Sequence, residues 1–232
     1  MEKGLAAFEK LTKDERSNAK LPEKASRLED RYPEDGLALK VFVRDLPAEG
    51  RDTTPWNQDR AWLTKTEVEK LLPATLSKGE KGDGKLLARR LALCALLDTV
   101  KGESEHFERE DLKEAQLELT VQKVEGTKVT LRLTGKTKTH AEGKWPVAGY
   151  DDSDSPRAQK RGITLALEGV AVWDTNAKRF TAFEMAAVGT RFGGTQFNAR
   201  GKDLAEAPIG FWIELDPGKT RVAPAFLWAY GW

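Results

Sequence analysis

One cysteine, two histidines and two methionines are all the sulfur and imidazole that 232 residues carry. A lone Cys94 excludes an intrachain disulfide and a cysteine-based zinc cluster. Two histidines exclude a three-histidine zinc site within one chain. An excess of one charge is missing as well: 38 basic and 37 acidic side chains leave a net charge of +1. A nucleic-acid binder working by bulk charge needs a basic surplus or a basic stripe, so no nucleic-acid partner is expected. No run approaches the roughly 20 consecutive apolar residues of a membrane helix, so no membrane span is expected either. The opening "MEKGLAAFEKLTKDE" is charged within three residues and has no apolar stretch of leader type. Read literally the chain is cytoplasmic; a periplasmic or secreted location would require a leader removed beforehand. Gly-x-Ser-x-Gly, His-Glu-x-x-His and Gly-x-Gly-x-x-Gly are all absent, so catalysis has no motif behind it. No cofactor and no metal are expected.

What is present begins with a charged segment over residues 1–31. Leu5, Phe8 and Leu11 recur at three-residue spacing there, which predicts one short helix followed by a polar stretch. From residue 32 the period changes. Leu37, Leu39, Val41 and Val43 alternate as in a strand, and "DLPAEGRDTTPWNQD" reads as loop. Residues 64–72 predict a short helix: Thr64 and Glu67 have capping-box spacing, Val68, Leu71 and Leu72 supply an apolar face, and Pro73 stops it. "SKGEKGDGK" reads as a mobile linker. "LLARRLALCALLDTV" is ambiguous, its Ala and Leu content favouring helix and its alternating Leu91, Leu93, Ala95 and Leu97 favouring strand; the alternation decides for strand.

The strongest pattern lies beyond it. Leu117, Leu119 and Val121 alternate with polar residues, and Val129, Leu131 and Leu133 do so after "VEGTK", which predicts a hairpin with one wet face. Ile163, Leu165 and Leu167 begin a second hairpin through "TNAK", with Gly169 separating two alternations of opposite phase as a bulge would. Its return strand "RFTAFEMAAVG" is apolar on both faces, so something should cover it. Phe211, Ile213 and Leu215 form a further strand. The expected architecture is mainly β (α+β): a curled antiparallel sheet, barrel- or half-barrel-like, with a few mostly N-terminal helices. A β-sandwich is the alternative. The domain reading is a helical segment over 1–31 and one β-rich domain over 32–232.

Candidate chemistry is sparse. Gly79, Gly84 and Lys85 match a phosphate-binding loop up to its lysine, but Leu86 stands where a magnesium-binding hydroxyl belongs. His106 and His140 sit among carboxylates and could act as a general base in a hydrolase. Asp151, Asp152 and Asp154 lack the remainder of a calcium loop and read as turn residues. Cys94, flanked by apolar residues, reads as a small buried hydrophobe.

Seven tryptophans stand out, at positions 56, 62, 145, 173, 212, 228 and 232. Trp56 and Trp62 bracket "NQDRA", where Asn57 and Asp59 could offer polar contacts to a ligand. Phe226, Trp228, Tyr230 and Trp232 share one parity in "AFLWAYGW", which in extended chain makes an aromatic stripe. That stripe reads as a last strand docked on the protein's own sheet, or as a stacking surface. An outer-membrane barrel is disfavoured by the few, interrupted strands. The functional expectation is a non-catalytic, soluble, bacterial-type β-rich protein. It would bind a small apolar or glycan ligand or a protein partner, through Trp56, Asn57, Asp59, Trp62, Trp228, Tyr230 and Trp232. The alternatives are the carboxylate hydrolase and a structural subunit of a larger assembly.

Overall fold

Eight antiparallel strands join edge to edge in a single sheet, whose spatial order is β2-β1-β8-β7-β6-β5-β4-β3. The strands are β1 (Leu37–Asp45), β2 (Trp56–Leu63), β3 (Lys81–Asp83), β4 (Leu112–Glu125), β5 (Lys128–Trp145), β6 (Arg157–Asp174), β7 (Arg179–Phe192) and β8 (Ala207–Leu215). This computed structural model describes residues 9–17, 27–49, 55–149 and 155–232. Contacts divide the chain into two units, 1–31 and 32–232. The first contributes helix α1 (Lys13–Ser17) and a 3₁₀ turn at Leu28–Arg31; most of its expected apolar stripe, Leu5 and Phe8, lies outside the described residues. The second holds the whole sheet, together with α2 (Lys65–Glu69) and α3 (Lys85–Cys94).

The sheet is curled and open, and α3 shows why it curls. This helix touches β4, β5 and β2. Strands β2 and β4 are six places apart in the sheet order. Laid flat, they would be separated by roughly 29 Å at about 4.8 Å per strand. A helix is only about 10 Å across. The sheet must therefore wrap around α3, and Leu87, Ala88, Leu91 and Ala92 are buried inside it. The architecture is thus the half-barrel-like sheet and not the sandwich.

Alternation along the strands does the rest. Val129, Leu131 and Leu133 of β5 and Leu117, Leu119 and Val121 of β4 all face the core, with charged neighbours outside. Helix α2 starts where its capping box predicts: the Thr64 hydroxyl accepts from the Glu67 backbone N–H, and the Glu67 carboxylate accepts from the Thr64 N–H at 2.8 Å.

Four local expectations are corrected. Residues 85–94 are helical, because a helix buried on most sides carries apolar residues at every spacing and so mimics the strand period. "SKGEKGDGK" is no loose linker: Lys81–Asp83 pairs with β4, and Gly82 and Gly84 are packing devices. A Cβ on Gly84 would meet the Leu117 and Leu119 side chains at under 3.0 Å. Gly169 is not a bulge. It pairs in register with Leu133 and Met185, and Ala171 and Trp173 continue the inward phase of Leu165 and Leu167. The irregularity in the β6–β7 ladder falls between Val172 and Trp173. Finally, the aromatic tail is not a strand: Leu227–Tyr230 is a 3₁₀ turn. At three residues per turn, Leu227 and Tyr230 point the same way, and both pack against the fully buried Trp62.

Candidate functional site

The concave side of the sheet is filled by α3 and the inward side chains. The convex side differs. On β1 the residues between the buried Val41, Val43 and Asp45 point outward, placing Phe42 and Arg44 there. Ladder register sets Trp212 of β8 opposite Phe42, and Trp56 of β2 opposite Arg44. On the far side of β8, Gly210 pairs with Val188 of β7. The result is a groove of about 430 Å³ across four neighbouring strands, lined by Phe42, Leu46, Trp56, Val188 and Trp212 with Gly210 in its floor. A Cβ on Gly210 would come within 2.8 Å of the overlying Leu46 side chain, which would have to shift.

The rings are open to solvent. Trp56 is 60% exposed, Val188 49% and Trp212 44%. The Phe42 and Trp56 ring centroids are 6.1 Å apart with their planes tilted by 45°. Trp212 Nε1 donates to Glu214 Oε2 at 3.4 Å, which leaves its ring faces uninvolved in hydrogen bonding. Scattered exposed apolar residues are ordinary on a protein surface; a contiguous aromatic groove is not. The return strand β7, expected to be covered on both faces, thus leaves Val188 bare on its outer side.

The same convex face is covered elsewhere by the chain itself. Ala38 and Trp62, the outward residues at the other end of the β1–β2 ladder, lie under Leu227, Tyr230 and Trp232 of the tail. The tail is pinned by the Ala225 N–H, which donates to Asp59 Oδ1 at 3.0 Å. It also stacks on α3: the Arg90 guanidinium lies 4.4 Å from the Tyr230 ring centroid and 5.3 Å from that of Trp232. Arg90 in turn holds Glu67 through both carboxylate oxygens and donates to the Trp62 carbonyl at 2.9 Å. Burial alone would raise the Glu67 carboxyl; the hydrogen bonds from Arg90 and Thr64 overcome it and bring the pKa down to about 2.

The residues singled out in the sequence are therefore dispersed. Trp56 is in the groove. Asn57 and Asp59 face inward, Asn57 donating to the Thr99 carbonyl at 3.0 Å and Asp59 anchoring the tail, with its carboxyl raised by burial. Trp62 is core. Trp228 is 64% exposed and packs edge-on against His106 at 4.7 Å, while Tyr230 and Trp232 flank Arg90. Phe42, Leu46, Val188 and Trp212 were missed. A signal for two of them existed: Trp212 falls between the inward Phe211 and Ile213, and Phe42 between Val41 and Val43, so strand parity alone puts both rings outside.

Each histidine does meet a carboxylate: His106 Nε2 is 3.2 Å from Glu108 and His140 Nε2 is 2.9 Å from Glu142. Both partners are largely solvated, and neither histidine lines the convex-face groove. Among the described residues no three His, Cys, Asp or Glu side chains are grouped to hold a metal ion. Asp151, Asp152 and Asp154 lie outside those residues. Burial pushes the Cys94 thiol up to about 11, so it stays neutral near pH 7.

A buried ionic cluster, by contrast, closes one end of the sheet. Arg200 is 0% exposed. It donates to both oxygens of Asp45 at 2.8 and 2.9 Å and to both oxygens of Asp98 at 2.7 and 2.8 Å. Asp203 binds Arg200 at 2.9 Å and also bonds Arg191. Desolvation disfavours the Arg200 charge, but the hydrogen bonds it donates to Asp45 and Asp98 raise its pKa above the ordinary guanidinium value. The cluster joins β1, the segment after α3, β7 and the β7–β8 loop. No protein-family model matches this chain, and no curated protein or solved structure is detectably similar to it.

Proposed function

We propose that this chain is a non-catalytic binding protein whose convex-face groove receives a flat, apolar ring system. One observation carries the reading. The chain covers Trp62 on this face with its own tail, yet leaves Trp56 and Trp212 open, with the half-buried Phe42 beside them. The groove volume lies within the roughly 300–1,000 Å³ range of small-molecule sites, and aromatic walls favour stacked or edge-to-face rings. The scarcity of polar side chains in the lining favours a ring over a sugar, whose hydroxyls would lose their hydrogen bonds to water without replacement.

The test is a titration with 2-naphthol, a neutral bicyclic probe of about eleven heavy atoms. At about 0.3–0.5 kcal/mol per atom its dissociation constant falls at roughly 0.1–4 mM. Equilibrium dialysis should show one saturable site, weakened at least fivefold by Trp56→Ala and by Trp212→Ala. Trp228→Ala, an equally exposed indole outside the groove, should leave it unchanged. Linear, unsaturable uptake, or equal loss in all three variants, would remove the reading.

A further inference from the structure

A second cavity, of about 210 Å³, lies between α3 and the C-terminal tail. Arg89, Arg90 and Arg109 all line it, alongside Leu86, Leu93, Ala229 and the Tyr230 ring. Three guanidinium groups thus line one small space in a chain whose charges otherwise balance to +1. Arg90 is neutralised by Glu67. Arg89 and Arg109 are not: among the described residues neither side chain has a hydrogen bond or an ion pair. Of the carboxylates near Arg109 in sequence, Glu108 meets His106 at 3.2 Å and Asp111 accepts from the Glu108 backbone N–H at 3.0 Å.

We infer that this cavity is a site for a small organic carboxylate, its anionic end held by Arg89 and Arg109 and its apolar body lying against Leu86, Leu93 and Ala229. Arginine suits such an anion because its planar fork matches two carboxylate oxygens. The limited volume restricts the body to about one ring or a short chain. The site is separate from the convex-face groove in both residues and charge, so each stands or falls by itself.

Benzoate is the probe, followed by isothermal titration with inorganic phosphate in a parallel arm. The expected result is a single saturable benzoate site that weakens at least tenfold in Arg89→Ala and in Arg109→Ala. Both residues are exposed, so the variants should keep the native melting temperature. Trp56→Ala should bind benzoate as the native chain does. Raising the salt concentration should weaken binding, since the guanidinium groups are solvated before the anion arrives. Absence of a saturable benzoate site, or arginine variants that bind undiminished, would overturn the inference. Phosphate binding as tightly as benzoate would overturn the apolar half of it.

Discussion

Replacing Arg200 by methionine should cost more stability than any change at the exposed convex face. Methionine keeps much of the arginine stem's bulk and removes only the head group. That head group donates four hydrogen bonds of 2.7–2.9 Å to Asp45 and Asp98 and a fifth, at 2.9 Å, to Asp203. Asp45 and Asp98 are 1% and 7% exposed. Asp98 would retain only Arg191, whose Nε lies 3.7 Å away, and Asp45 would lose its ring of donors from Arg200 entirely. Breaking a buried ion pair from one side costs about 3–5 kcal/mol, most of it the stranded charge. In a domain of this size each kcal/mol moves the melting temperature by about 2–4 °C, so a fall of roughly 6–20 °C is expected by calorimetry. The stranded-charge argument makes a second, sharper demand. Adding Asp45→Asn to Arg200→Met should be less harmful than the sum of the two single changes, because the asparagine removes a charge that has already lost the two hydrogen bonds from Arg200. A melting temperature within 2 °C of native for Arg200→Met, or strict additivity in the double variant, would refute the reasoning.

Two further outcomes follow from the tail. Leu227 is 1% exposed against Trp62 and Ala38, so Leu227→Ala should destabilise by about 2–5 kcal/mol. Ending the chain at Ala223 should cost more and shift indole emission to the red as Trp62 meets water; an unchanged spectrum and melting temperature would show that the tail covers nothing of consequence. The Glu67–Arg90 pair predicts an acid dependence. The folded pKa of Glu67 is depressed to about 2 from an ordinary 4.5, so its stabilisation is complete above pH 4.5 and is lost as pH falls towards 2. Native protein and Glu67→Gln should therefore differ in denaturant midpoint at pH 6 and converge by pH 2; a constant gap would contradict the assignment.

Where the fold was legible, period two made it so. The β4–β5 hairpin has one wet face, and its residues sort inward or outward with no tertiary knowledge. Helix α2 was equally legible because its capping box is a local device. Helix α3 was not, since being wrapped by the sheet erased the polar stripe that marks a helix; only Arg89 and Arg90 betray an outer side. In the tail, a parity shared by four rings suggested extended chain, yet the Trp62–Leu227–Tyr230 contact needed a tight turn. The Arg200 cluster could not be read at all. Its acids stand 155, 102 and 3 residues away in sequence, and nothing local distinguishes Asp45 or Asp98 from surface acids. The groove lies between these cases: parity marks Trp212 and Phe42 as outward, but only strand order, which brings β8 beside β1, makes them neighbours.

The convex-face groove is tested most directly by the indole N–H resonances of the seven tryptophans during addition of 2-naphthol. The account predicts that the signals of Trp56 and Trp212 move together along one saturating curve while those of Trp62, Trp173 and Trp228 stay in place. Movement of Trp228 with Trp56 and Trp212 fixed, or a uniform small drift of all seven, would contradict it.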